Sequence, residues 1–112
     1  MEYVPDAFEE TEVEPGVFVA QLAVGDEMSI QHLRMEPGAV IPEHDHHHEQ
    51  VGFVYEGAQT FVLESGETVT VPAGGSYALE SNERHGAENR GDEPFRAVDV
   101  FSPPRTNPNW LE

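Results

Sequence analysis

The segment GAVIPEHDHHHEQVGFVYEG, residues 38–57, decides the fold of this chain. Within it His44 and His46 are two residues apart, and Gln50 follows four residues later. Side chains two positions apart on an extended strand point to the same face, so both imidazoles can reach one metal ion. Together with a second group of candidate site residues near His85, the segment predicts a small β-barrel built around a metal.

The rest of the chain predicts short strands separated by turns. Turn-forming pairs such as Pro15-Gly16, Pro37-Gly38 and Gly74-Gly75 recur at short intervals, as in an all-β sandwich or barrel. We predict strands at Val17–Val24, Met28–Met35, Gln50–Tyr55, Ala58–Leu63, Glu67–Val71, Ser76–Leu79, Gly86–Asn89 and Phe95–Phe101. Residues 17–105 then form the barrel, 1–16 an acidic N-terminal arm, and 106–112 an irregular tail. For the arm, two alternatives remain: an edge strand, or a segment that covers a partner.

Composition limits the chemistry that is available. The chain has 112 residues and no cysteine, which suits a single domain and excludes disulfides, thiolate metal sites and cysteine nucleophiles. A metal must be held by histidine, carboxylate or amide groups, which suit Zn, Ni, Fe or Mn. Because the sequence has no leader-like segment and no apolar run of membrane-spanning length, we expect a cytoplasmic protein without a membrane partner.

The formal net charge of -17 is extreme, and all five basic residues are arginine. Self-repulsion of this size destabilises a compact state, but molar salt shortens the screening length to about 3 Å. We therefore predict a protein from the cytoplasm of a halophilic organism. The alternative is an ordinary acidic protein stabilised by its metal and a partner chain. Nucleic acid is not expected as a partner, because the field repels phosphates.

Two spaced motifs give the chain its resemblance to the cupins, a family of double-stranded β-helix or jelly-roll barrels. The first motif is matched by Gly38, His44, His46, Gln50 and Gly57, with Gln50 in the place of an acid. The second is matched by Gly74, His85 and Asn89, while Glu80 and Asn82 replace the expected proline and glycine. The resemblance implies one divalent transition metal held by His44, His46, Gln50 and His85.

Three neutral imidazoles and one amide would leave the positive charge of a divalent ion uncompensated. Such a site favours anionic substrates and polarises their oxygens as a Lewis acid. The alternative is a solvated surface cluster of histidines. We interpret His47 and His48 as loop histidines rather than ligands, and His32 as a barrel-lining or hydrogen-bonded core histidine rather than a fifth ligand.

A narrower resemblance is to the small pectin-degradation cupins, which act on 4,5-unsaturated monouronates. It is carried by the segment His48–Phe53 and by the ending Asp99-Val-Phe-Ser-Pro-Pro-Arg105. It implies that Asp99, Phe101 and Arg105 line the substrate site. Independently, Asp99 lies among apolar neighbours. An ionised carboxylate in such a place needs a cationic partner or a role in acid–base chemistry. The plainer alternatives are a strand-end Asp99 that caps a turn or faces solvent, a Phe101 that only fills the core, and an Arg105 in a surface ion pair.

The leading functional hypothesis is a metal-dependent isomerase that converts cyclic unsaturated monouronates to the linear keto form. In it Arg105 binds the substrate carboxylate and Asp99 transfers a proton. The alternatives are a metal-dependent dioxygenase or other oxidative cupin, and a non-catalytic barrel that binds a sugar or effector. The resemblance also implies a homodimer, for which the acidic arm is a possible exchange element.

Overall fold

The computed structural model describes residues 1–5 and 9–106, and within these ranges the regular structure is entirely β, as predicted. No described helix is long and apolar enough to cross a membrane. The ten strands are β1 Thr11–Glu14, β2 Val17–Val24, β3 Ser29–Met35, β4 Val40–His44, β5 Glu49–Glu56, β6 Ala58–Leu63, β7 Thr68–Pro72, β8 Ser76–Leu79, β9 His85–Glu88 and β10 Phe95–Ser102.

The strands form two antiparallel sheets that enclose the core. The larger sheet has the order β1-β2-β3-β10-β5-β8, and the smaller has the order β4-β9-β6-β7. Neighbouring strands in each sheet are mostly distant in sequence, which is the topology of a jelly-roll barrel. The predicted fold class is confirmed.

Two strands were not among the eight predicted. β4 contains Pro42 and has mostly exposed side chains, so it lacks the apolar alternation that identifies a strand. β1 lies within the acidic arm and pairs with β2 at the edge of the larger sheet. Residues 107–112 of the predicted tail lie outside the described residues.

The inner face of the larger sheet changes from apolar to polar along the barrel. One row across its strands contains Val54, Ala97, Leu33 and Val19, which belong to the buried core. The next row contains Tyr77, Gly52, Asp99 and Gln31, and the one beyond it contains Leu79, Gln50, Phe101 and Ser29. Polar side chains therefore collect at one end of the barrel interior.

His32 lies on the outer face of the larger sheet, because its neighbours Gln31 and Leu33 face the interior cavity. The side chain is only 5% exposed, and its Nε2 lies 2.6 Å from the Tyr55 hydroxyl. The barrel-lining alternative is therefore wrong, and His32 is a buried, hydrogen-bonded histidine. The same outer face carries exposed apolar side chains such as Phe53, and the homodimer stays a prediction.

Candidate metal centre and substrate cavity

Three histidines converge at the polar end of the barrel. β4 ends at His44, β9 begins at His85, and these two residues are register partners. His46 follows in the segment between β4 and β5. One ligand nitrogen from each ring lies within 4.8 Å of the other two. Strand pairing between distant segments therefore assembles a group of three histidines of the kind that holds a divalent transition metal.

Each ring is oriented by its own backbone. The Nδ1 atoms lie 3.0 Å from the Pro42 carbonyl oxygen for His44, 3.0 Å from that of His48 for His46, and 2.8 Å from that of Glu83 for His85. A carbonyl only accepts hydrogen bonds, so in a neutral ring Nδ1 carries the proton and Nε2 keeps its lone pair. Within the described ranges the buried Nε2 of His46 has no hydrogen-bond partner. These tautomers and this vacant acceptor fit a metal ion.

Burial keeps the three imidazoles neutral. It is the main reason that the pKa values of His44 and His85 lie below the ordinary value. Burial, with the Arg105 guanidinium and the other two rings, lowers the pKa of His46 to about 4. Neutral imidazole is the form that binds metal, so the site is ready for a cation at neutral pH.

These lowered pKa values predict that metal binding resists mild acid. A histidine with a lowered pKa takes up its proton only at lower pH, so protons compete with the metal ion for the imidazole nitrogens only at lower pH. We expect the Ni²⁺ affinity to fall less between about pH 8 and about pH 5 than it would for three histidines of ordinary pKa. Calorimetric titration across this range tests it. A loss of affinity as steep as that expected for three ordinary histidines would contradict it.

The turn before His85 explains how the chain tolerates the two departures from the second motif. Asn82, at the position of the motif's glycine, has a φ of 64°, a left-handed conformation that asparagine adopts more readily than most residues. Glu80 stands where the motif has proline, and its extra N–H donates to the Glu83 carboxylate at 2.9 Å. The local geometry therefore survives, and His85 keeps its place beside His44.

Gln50 and Asp99 form a buried pair beside the histidines. The Gln50 Nε2 donates to Asp99 Oδ1 at 2.9 Å, and the Tyr77 hydroxyl donates to the same oxygen at 2.5 Å. With its nitrogen engaged, Gln50 keeps Oε1 as the atom available to a metal, and its role as fourth ligand stays a prediction. Asp99 is 2% exposed, so it lies in the barrel interior rather than in solvent. Burial raises the pKa of Asp99, and the two hydrogen bonds and Arg105 partly oppose this.

Phe101 and Arg105 complete this end of the barrel. Phe101 is buried, and the edge-to-face contact with the His46 ring has a centroid distance of 5.7 Å. Arg105 is 6% exposed, its guanidinium carbon lies 5.2 Å from the Phe101 ring centre, and its backbone N–H donates to Ser29 Oγ at 2.9 Å. Burial lowers the pKa of Arg105 to about 10, and Asp99 opposes this shift, so the side chain stays cationic at neutral pH.

Arg105 differs from the other four arginines of the chain. Those four form ion pairs with partly exposed acidic side chains: Arg34 with Glu10 and Glu36, Arg84 with Glu43 and Asp45, Arg90 with Glu88, and Arg96 with Glu56. Arg105 lines the interior cavity and is 6% exposed, so it is not a surface residue. A cation in this position would attract an anionic ligand, and its part in substrate binding stays a prediction.

The cavity has a volume of about 320 Å³ and two kinds of lining. Its polar lining includes His44, His85, Gln50, Asp99 and Arg105, together with Gln31, Gln59, Glu14, Glu43 and Asp45. Its apolar lining includes Val13, Val17, Val19, Leu33, Ile41 and Phe61. This volume holds a small organic molecule, with its charged end at the polar lining.

His47 and His48 agree with their interpretation as loop histidines. They lie between β4 and β5, and their rings stack on each other with centroids 4.0 Å apart. His47 is exposed, whereas His48 is half-buried against Phe101. Neither belongs to the group of residues that could share a metal.

Sequence reasoning missed four residues at or beside the cavity. The hydroxyl of Tyr77 donates to Asp99, a contact that the sequence did not indicate. Gln31 and Gln59 are buried polar side chains that line the cavity, and Gln59 Oε1 has no hydrogen-bond partner within the described ranges. Gly52 lies between Tyr77 and Asp99 in the register. Strand alternation places Gln31 and Gln59 on the inner face, which was the available signal.

The fold and this constellation of three histidines define the chain as a cupin. The family model for the cupin domain matches residues 31–101, and the chain belongs to that family.

Among solved structures, the chain is similar to KdgF from a Halomonas species, with 28% identity, a TM-score of 0.80 and coverage of 92% of this chain and 93% of that one. Together with the family match, this similarity confirms the recognition of a small cupin that resembles the pectin-degradation group.

Two curated relatives are enzymes. The chain is 36% identical over 70 residues to H2HPP isomerase of Bacillus subtilis, and the aligned segment covers 62% of this chain and 29% of the relative. It is 33% identical over 79 residues to L-ectoine synthase of Mycobacteroides abscessus, and that alignment covers 70% of this chain and 59% of the relative. The chain thus spans less than two thirds of the length of either relative.

Proposed function

We propose that this protein is a metal-dependent isomerase that converts 4,5-unsaturated monouronates from the cyclic to the linear keto form. The observation that carries the proposal is the location of Asp99 and Arg105, both buried in the wall of one cavity beside three converging histidines. The similarity to KdgF over almost the whole of both chains supports it.

Arg105 is suited to bind the carboxylate of the substrate. A guanidinium binds a carboxylate through two parallel hydrogen bonds, and burial strengthens this pairing. A divalent ion such as Zn, Ni, Mn or Fe, held by His44, His46 and His85 with Gln50, would supply Lewis-acid polarisation of substrate oxygens. Arg105 lies close enough to the three histidines to contribute to lowering the pKa of each, and it lines the same cavity as His44 and His85, so one anionic sugar could contact both.

Asp99 is suited to transfer the proton. Ring opening removes the proton of the anomeric hydroxyl and breaks the bond between the anomeric carbon and the ring oxygen, which leaves an aldehyde and an enolate. The same proton, delivered to the double-bond carbon that does not carry the oxygen, converts the enolate to the ketone, so the reaction is an isomerisation with no net gain or loss of atoms. A buried carboxylate with raised pKa can accept the first proton and return it.

The direct test is incubation of the metal-loaded protein with unsaturated galacturonate. The ring double bond absorbs in the ultraviolet, and its conversion to a ketone removes that band. We expect the band to decay much faster than in buffer that contains the same metal. Equal decay rates in the two samples would refute the proposal.

A second candidate is an isomerase for an anion with an apolar body. The observation that favours it is the apolar part of the cavity lining, which includes Val17, Val19 and Leu33. A calorimetric comparison of phenylpyruvate with galacturonate separates the two candidates. Tighter binding of the aromatic acid would favour the second, and tighter binding of the sugar acid the first.

A further inference from the structure

Tyr77, Gly52 and Asp99 form one row across three neighbouring strands. Gly52 in β5 is the register partner of Tyr77 in β8 on one side and of Asp99 in β10 on the other. Adjacent strands are about 4.8 Å apart, so the backbones of Tyr77 and Asp99 are separated by about two such spacings. Their side chains nevertheless meet, since the Tyr77 hydroxyl lies 2.5 Å from Asp99 Oδ1.

This contact depends on the missing side chain at Gly52. A methyl group placed on its α-carbon would overlap Asp99 Oδ1 and also the ring carbon and hydroxyl of Tyr77. Gly52 does not have a positive φ, so backbone conformation does not require glycine here. Glycine is required here for lack of space, because the hydrogen-bonded Tyr77 hydroxyl and Asp99 carboxylate occupy the place of a side chain.

The hydrogen bonds to Asp99 are unevenly distributed between its two oxygens. Both donors, Gln50 Nε2 and the Tyr77 hydroxyl, bind Oδ1, and no other described side chain donates to the carboxyl group. Two donors on one oxygen fix the plane of the carboxyl group, and Oδ2 is left for a molecule in the cavity. Tyr77 is itself held by an edge-to-face contact with Phe61, with centroids 4.6 Å apart.

We propose that Tyr77, acting through the gap at Gly52, is a positioning residue that orients Asp99 so that Oδ2 faces the substrate. The catalytic part of this inference rests on the proposed isomerase function. The hydrogen bond itself does not, and it is tested separately.

The experiment compares Y77F and G52A with two control variants. Y77F removes the donor and keeps the ring, whereas G52A fills the gap. The matched controls are Y55F, a tyrosine on the outer face of the sheet, and G25A, where the added methyl meets one backbone oxygen at an ordinary 3.4 Å. Should G52A fail to fold, Y77F alone decides the outcome.

Infrared difference spectra provide the readout that does not require turnover. The difference between wild type and D99N identifies the carboxyl band of Asp99. We expect this band to shift in Y77F and in folded G52A, and to stay in place in Y55F and G25A. An unshifted band in Y77F would overturn the proposal, whatever the substrate of the protein is.

Steady-state kinetics provide the second readout. Loss of a hydrogen bond to the carboxyl group should lower the kcat of Y77F about 10- to 100-fold and leave KM within about twofold, since Tyr77 is not expected to touch the substrate. A shifted band with unchanged kcat would overturn the positioning role. If wild type does not convert the uronate, the proposed function fails, and the infrared result alone supports or overturns the orientation of Asp99 by Tyr77.

Discussion

Replacing His85 by alanine should abolish tight binding of a divalent transition metal. His85 is 2% exposed, and its nitrogen lies within 4.8 Å of the ligand nitrogens of His44 and His46. Loss of an outer partner of a metal ligand already costs about 10- to 100-fold in affinity, so the loss of a ligand itself should cost about a thousandfold or more. Calorimetric titration of the metal-free protein with Ni²⁺ measures this directly.

His47→Ala is the matched control for that experiment. His47 is exposed and lies in the same histidine-rich segment, but it is outside the group that could share a metal. We expect its affinity to equal that of wild type. If H85A binds Ni²⁺ as tightly as H47A, the proposed metal centre is wrong, even if the protein binds metal elsewhere on its acidic surface.

The converging histidines were predictable because two kinds of sequence information agree on them. The spacing of His44 and His46 is a local property, and an extended chain places both side chains on one face. His85 is far away in sequence, and no local pattern brings it to His44. Only the resemblance to the second motif placed it, and the pairing of β4 with β9 is the physical reason.

The strand β4 shows why part of the fold was not predictable. Sequence patterns detect strands through burial on one face, but β4 carries Pro42 and has mostly exposed side chains. Its position is fixed by pairing with β9 rather than by its own apolar residues. A strand that is stabilised by pairing with its neighbour does not need alternating apolar and polar residues, so its sequence does not identify it as a strand.

The partners of Asp99 were not predictable for a related reason. The sequence indicates that Asp99 is unusual, since it lies among apolar residues. It does not indicate that Tyr77 lies two strands away in the same row, because that depends on the register of β8, β5 and β10. Contacts between strands that are distant in sequence depend on the tertiary fold, and the local patterns of a single sequence do not predict them.

Replacing Asp99 by asparagine should remove nearly all of the proposed isomerase activity while the protein stays folded and metal-loaded. Asparagine has the same shape, and its carbonyl oxygen can still accept the hydrogen bonds from Gln50 and Tyr77. Its amide cannot take up and return a proton, so kcat should fall about a thousandfold, within the range of general acid–base catalysis. The initial rate of decay of the ultraviolet band measures this.

The melting temperature of D99N and the control variant D92N distinguish loss of the catalytic group from loss of the folded structure. Because burial raises the pKa of Asp99, the folded protein disfavours its ionised form, and a neutral asparagine avoids that cost. The melting temperature of D99N at neutral pH should therefore equal or exceed that of wild type. Asp92→Asn changes an exposed carboxylate and should leave both rate and stability unchanged. A D99N protein that keeps the wild-type rate would remove Asp99 from the proton-transfer step, because no proton-accepting carboxylate would remain at that position.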